Sequence, residues 1–245
     1  MHNLIKKTFY SFILIISFLL LFVIINSFNK ELVIPSTPLI ASKGDGLWIA
    51  HRKNTAKLVE EAITAGFWGI EVDVHQYKDT FRIYHDEKNE PYSETMYDLP
   101  DFLITCKQNN IIPVLDLKKI TDYNLLISLV KEKGMHQRTI YQTKIDLAKM
   151  IYETDNTARI WVLMDTGSKN TPTSNIPTRL IECLNYIEGV NIQAKHVDEF
   201  DIKAIHNLGL TVCSFSYKST LYENADAKTL KAWGTNYLMA DTIDE

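Results

Sequence analysis

Apolar and polar positions follow two alternating periods along most of the chain. Eight short apolar runs read as buried strands: Leu47–His51, Gly69–Val74, Ile112–Leu117, Thr139–Gln142, Arg159–Met164, Gly189–Gln193, Thr211–Phe215 and Tyr237–Ala240. Longer stretches with apolar residues at helical spacing lie between them, at Thr55–Ala65, Tyr123–Lys133, Lys144–Tyr152, Thr178–Ile187, Asp198–Asn207 and Ala227–Trp233. Gly66, Gly134 and Gly209 stand where helix C-termini need a left-handed residue, and Pro177 stands near a helix start. Phe81–Tyr84 adds a short extended piece. Strands alternating with helices are the pattern of parallel βα units, and eight of them predict an α/β fold closed into a (β/α)8 TIM barrel. A doubly wound open sheet is the alternative; neither G-x-G-x-x-G nor G-x-x-x-x-G-K-[ST] follows the first strand to support it.

The N-terminus breaks this pattern. Lys6 and Lys7 precede an uncharged apolar run, Phe9–Phe28, long enough to cross a hydrocarbon core of ~30 Å as a helix. Positive charge before the run favours a cytoplasmic N-terminus and an extracytoplasmic (periplasmic or extracellular) remainder. A cleaved signal peptide competes with an uncleaved anchor. The run exceeds an ordinary signal core and no A-x-A-like site follows closely, which favours the anchor. The expected organisation is a transmembrane anchor at 1–28, a Pro/Ser/Gly linker at 29–46 and a barrel domain at 47–245.

Composition narrows the function classes. Hydrophobic residues at 46% and charged residues at 23% describe a folded domain rather than a disordered chain. A net charge of −4 with no Lys/Arg block gives no footprint for nucleic acid. Cys106, Cys183 and Cys213 are scattered, with neither disulfide nor zinc spacing, and read as buried free thiols.

The chemistry gathers at strand ends. His51 and Arg52 end the first strand; Glu71 and Asp73, two apart in the second, point to one side of it. His85 and Asp86 end the extended piece, and Asp116 and Lys118 end the third strand on a shared face. In a parallel barrel these ends meet at one mouth. Three carboxylates together repel one another unless a cation lies between them, and all-oxygen donors suit Ca²⁺ or Mg²⁺. Such an ion beside Arg52 and Lys118 makes a phosphate site, and two histidines suit acid–base work on a phosphodiester.

The runs IAHR, GIEVDV, YHD and PVLDLK, in this order, resemble the glycerophosphodiester phosphodiesterases of the phospholipase-C-like phosphodiesterase superfamily; GTNYLMAD resembles the family's closing strand. The resemblance spans Trp48 to Asp241. It implies a metal-dependent hydrolase on a TIM barrel, with the ion held by Glu71, Asp73 and Asp116, His51 and His85 as the acid–base pair, and Arg52 and Lys118 on phosphate oxygens. It further implies attack by a neighbouring substrate hydroxyl to give a cyclic phosphate that water opens.

Departures from the family pattern bear on the substrate. Lys53 stands where the family has Gly, Asn54-Thr55 follows without the usual preceding Glu, and Asp116 replaces a common Glu. The Asp116-Leu117-Lys118 version is similar to the sphingomyelinase D branch, which makes a lysophospholipase D or sphingomyelinase D-like activity the alternative. The absent acidic residue motivates a third reading, a non-catalytic barrel that binds a phosphate ligand. The expected partners are a small-molecule or lipid phosphodiester and, through the N-terminal helix, a membrane. His75, Gln142 and Gln193 divide evenly between mouth-lining and inert placement; Trp161, Phe215 and Tyr217 are candidates for contact with a glycerol or lipid moiety, with core packing an equal explanation for Trp161 and Phe215. His136, His196 and His206 read as surface residues.

Overall fold

The computed structural model describes residues 47–85, 97–164, 176–194, 197–215 and 227–241. The expected anchor and linker lie outside these residues, as do Asp86, His196 and Tyr217. No helix among the described residues is long and apolar enough to cross a membrane.

Eight parallel strands close into a barrel. In chain order they are β1 (Leu47–Ala50), β2 (Gly69–Tyr77), β5 (Ile112–Lys119), β6 (Ile140–Thr143), β7 (Arg159–Met164), β8 (Gly189–Gln193), β9 (Thr211–Phe215) and β10 (Tyr237–Ala240). Each pairs with the next, and β1 pairs with both β10 and β2, which closes the ring. Two further strands, β3 (Thr80–Ile83) and β4 (Tyr97–Asp98), are antiparallel and extend from β2. The helices among the described residues are α1 (Ala56–Ala65), α2 (Leu99–Gln108), α3 (Tyr123–Glu132), α4 (Ile145–Thr154), α5 (Ile176–Ile181), α6 (Glu199–Asn207) and α7 (Ala227–Ala232).

Side-chain alternation sorts the apolar residues into two layers. Val72 and Val74 of β2 face outward with Val59 and Ala62 of α1 in the large cluster between strands and helices. Burying a side chain of this size is worth roughly 1.5–3 kcal/mol, so this layer holds the helices to the barrel. A second cluster, Ile49, Val114, Ile140, Trp161, Cys213, Phe215 and Met239, fills the barrel itself. Gly189 is required there: a Cβ at that position would lie 2.9 Å from Trp161 Nε1 and 3.0 Å from the Thr211 carbonyl oxygen.

Local signals set the helix ends as expected. Thr55 caps α1 by accepting from the Leu58 N–H at 3.3 Å, and Gly66 ends it with φ 83°. Asp198 and Asp201 form a reciprocal capping box on α6. All three cysteines are free and buried.

Four expectations need correction. Leu99–Gln108 is a helix that the periodicity analysis left out: Pro100 starts it and Leu99, Phe102, Leu103 and Cys106 bury one face, but exposed Ile104 blurs the stripe. The helix expected over 178–187 is the shorter Ile176–Ile181. His136 is a buried residue rather than a surface one. Its Nε2 lies 2.9 Å from Thr157 Oγ1 and 3.4 Å from Asp155 Oδ2, tying the α3–β6 connection to the entry of β7. His206 is half-buried, its two ring nitrogens 3.0 and 2.9 Å from the carbonyl oxygens of Leu210 and Gly234.

Candidate active site

The strand register brings the three carboxylates together. Asp73 and Asp116 are direct neighbours across the β2–β5 ladder. Glu71 lies two residues before Asp73 on the same inward face, so all three project into the barrel at its C-terminal end. Their oxygens lie within 4.8 Å of one another, and all three residues are buried. Burial raises the Glu71 carboxyl well above its ordinary range, and the charges of Asp73 and Asp116 push it further. Asp116 is also raised by burial, with Lys118 working against the shift. Burial would raise Asp73 too, but Lys118, Asn54 and His85 outweigh it and hold this carboxyl below its ordinary value. A buried, all-oxygen set whose members resist shared ionisation fits a hard divalent cation.

Lys118 sits inside this cluster. Its ammonium lies 2.9 Å from Asp73 Oδ1 and also pairs with Asp116 Oδ2. Both carboxylates raise the Lys118 pKa against the opposing effect of burial. Lys118 thus joins the site by neutralising carboxylates, a contact that the phosphate role expected from sequence did not include.

The two histidines reach the site from different elements. His51 follows β1, its N–H bonded to the Ala240 carbonyl at 3.0 Å. Its Nδ1 lies 3.4 Å from Asp241 Oδ1, and its ring is 6.5 Å from that of Phe215. The β2–β3 hairpin turns through Lys78, at φ 53°. This return lets the Tyr84 N–H reach the Asp73 carbonyl at 3.2 Å, and His85 then places Nδ1 3.0 Å from Asp73 Oδ2. Asp73 is wholly buried, whereas the His85 side chain is 53% exposed, so the dyad spans from barrel interior to solvent. Each imidazole has Nδ1 against a carboxylate.

The segment after β1 is wired to β2. The Arg52 N–H donates to Glu71 Oε2 at 2.7 Å and the Lys53 N–H to the Glu71 carbonyl at 3.0 Å. Arg52 adopts φ 50° to do so, an uncommon conformation for a residue with a Cβ. A hydrogen bond from His51, helped against burial by the charges of Lys53 and Arg52, keeps the Asp241 carboxyl below its ordinary value, and Lys53 Nζ donates to the Asp241 carbonyl at 3.0 Å.

Two participants escaped the sequence reading. Asp241, at the end of the last strand, pairs with His51. Asn54 bonds Asp73 twice, donating from Nδ2 to Oδ2 at 2.7 Å and accepting from the backbone N–H at 2.9 Å. Their signals were the strand-end position of the first and the Asn-Thr pair of the second. Gln142 belongs to the site wall, bonded to Asp116 and accepting from Asn191 Nδ2 at 2.6 Å. Gln193 is buried at the end of β8. Past the bulge between Val74 and His75, the His75 ring stacks on Tyr84 at 3.9 Å. Trp161 is packed deep in the barrel and serves the core; Phe215 lies in the same cluster beside His51.

No family model matches the sequence, and no curated protein matches it either. Solved structures do match. A glycerophosphodiester phosphodiesterase from Agrobacterium tumefaciens str. C58 superposes with a TM-score of 0.61 at 15% identity, over 81% of this chain and 96% of its own. An Oleispira antarctica phosphodiesterase, solved with the product sn-glycerol-3-phosphate, gives 0.60 at 15% identity, over 79% and 92%. A calcium-dependent phosphoinositol-specific phospholipase C from Pseudomonas sp. gives 0.57 at 9% identity, over 80% and 88%. The chain has the fold of these proteins.

Proposed function

We propose that this chain is a divalent-cation-dependent phosphodiesterase acting on glycerophosphodiesters, lipid-derived or envelope-derived. The observation that carries the proposal is the meeting of two carboxylate-backed imidazoles with a buried, all-oxygen cluster at one barrel mouth. The likeness in fold to phosphodiesterases, one of them holding sn-glycerol-3-phosphate, supports it.

Glu71, Asp73 and Asp116 would hold Ca²⁺ or Mg²⁺, which supplies positive charge against the phosphate oxygens. Arg52 and Lys118 bind the non-bridging oxygens. His51 is the base: Asp241 lies behind its Nδ1 and stabilises the imidazolium that forms, whereas Asp73, behind His85, is in direct contact with the Lys118 ammonium and Asn54. The glycerol hydroxyl next to the phosphate attacks phosphorus and passes its proton to His51 Nε2. The bond to the leaving alcohol breaks as its oxygen takes a proton from His85. Water then opens the cyclic phosphate: it gives its proton to His85, and the ring oxygen takes one from His51. The products are the alcohol and a glycerol phosphate.

A second reading, a lysophospholipase D or sphingomyelinase D-like lipid phosphodiesterase, is favoured by the Asp116–Lys118 pair. A third, a catalytically impaired barrel that binds phosphate ligands, is opposed by the intact set of five catalytic and ligand side chains. The apolar run Phe9–Phe28 supports the further proposal of a single N-terminal anchor with an extracytoplasmic barrel.

The test is release of glycerol 3-phosphate from glycerophosphocholine by the purified protein with Ca²⁺ or Mg²⁺, against a chelator control. Metal-dependent release is expected. Absence of metal-dependent turnover on any phosphodiester defeats the enzyme reading. Cleavage of lysophosphatidylcholine but not glycerophosphocholine selects the second.

A further inference from the structure

The Asp73 carboxylate stands among three groups that could each turn it, and one side chain fixes its orientation. Asn54 is buried just before α1, where the Thr55 cap holds the backbone in place. It grips Asp73 at both ends, at the backbone N–H (2.9 Å) and at Oδ2 (2.7 Å), so the Asp73 side-chain torsion is fixed between two points. Oδ2 also receives His85 Nδ1 at 3.0 Å, which fills that oxygen with protein partners. Oδ1 is left turned toward Lys118 Nζ, 2.9 Å away, where positive charge enters the cluster.

The simple alternative is that Asn54 only fastens the loop after β1 to β2. Arg52 and Lys53 already do this, through the Glu71 side chain and carbonyl. The separate contribution of Asn54 is to the carboxylate.

We infer that Asn54 is the positioning residue of the cation site: it ties one Asp73 oxygen to the protein and presents the other to the metal. The inference rests on the divalent-cation reading proposed above. It deepens that reading by naming a non-ligand residue that sets metal affinity. Outer partners of a ligand carboxylate commonly change metal affinity by about 10- to 100-fold when removed.

The experiment is calorimetric titration of the full chain with Mg²⁺ and with Ca²⁺, in the absence of substrate, comparing wild type with Asn54→Leu and the milder Asn54→Ser. Melting curves in chelator accompany it. Both variants are expected to fold and to bind either cation about 10-fold more weakly or worse. Affinities within twofold of wild type in folded variants would overturn the role of Asn54 alone. Loss of folding in both variants would overturn it too, by making Asn54 a scaffold residue. A wild type that binds neither cation would overturn the underlying metal reading as well.

Discussion

His51 Nδ1 faces Asp241 Oδ1 at 3.4 Å, joining the end of the first barrel strand to the end of the last over one imidazole. Barrel closure makes this contact possible: β1 pairs with β10 in register up to Ala50 and Ala240, the residues just before the two partners. The contact orients the ring and places a negative charge behind Nδ1; in the proposed mechanism the proton moves through Nε2.

Replacing Asp241 by Asn should therefore lower kcat by about 10- to 100-fold with little change in KM, because orientation and imidazolium support are lost while the phosphate contacts stay. The metal midpoint should not move, since Asp241 is outside the carboxylate cluster. Steady-state kinetics across metal concentrations check both parts. An unchanged kcat would remove Asp241 from the mechanism.

The Glu71 carboxyl makes the metal-free protein pH-sensitive. Burial and the neighbouring Asp73 and Asp116 raise its pKa well above the ordinary 4.5, so the folded state holds its proton more tightly than the unfolded chain does. Its contribution is harmless below 4.5 and becomes destabilising as pH rises above that value. Melting temperature in chelator should thus fall over this range, and Glu71→Gln should lessen the fall. Added Mg²⁺ or Ca²⁺ should stabilise wild type more than Glu71→Gln. Thermal melts with and without cation at several pH values read the effect.

Asp155 has the opposite sign. Burial alone would raise its pKa, but Lys131, the Thr157 hydroxyl and N–H, and His136 lower it to about 2, below the ordinary 3.8. Its stabilisation is complete above the unfolded value and is lost as pH falls toward about 2. Asp155→Asn should melt earlier at neutral pH and lose less on acidification than wild type. Melting curves taken between neutral pH and the acid limb test this, and parallel curves for the two proteins would contradict it.

The barrel was legible because its strands are short apolar runs bounded by turn residues, and four of them, Arg159–Met164, Gly189–Gln193, Thr211–Phe215 and Tyr237–Ala240, begin and end where the pattern places them. The carboxylate cluster was legible for a related reason. Charges at alternate positions of an apolar strand, as in Glu71 and Asp73, have few explanations other than a shared inward face. Asn54 and Asp241 were not, because each acts through a partner distant in sequence, and a polar residue after a strand looks the same whether it caps a turn or holds a catalytic group. The α2 helix was missed since Ile104 is exposed and weakens its apolar stripe. His136 was misplaced because a connector histidine gives no sequence sign that Asp155 and Thr157 will enclose it.

The two imidazoles carry the proposed proton transfers, so replacing each by alanine removes the acid or the base. Release of glycerol 3-phosphate from glycerophosphocholine should be followed at saturating Mg²⁺ or Ca²⁺ for wild type, His51→Ala and His85→Ala, with cation binding titrated in parallel. The acid–base roles of both imidazoles require turnover to fall by about 10²-fold or more in each variant, with cation binding retained in His51→Ala, whose partner Asp241 is outside the carboxylate cluster. Turnover at the wild-type rate in both variants would contradict these roles.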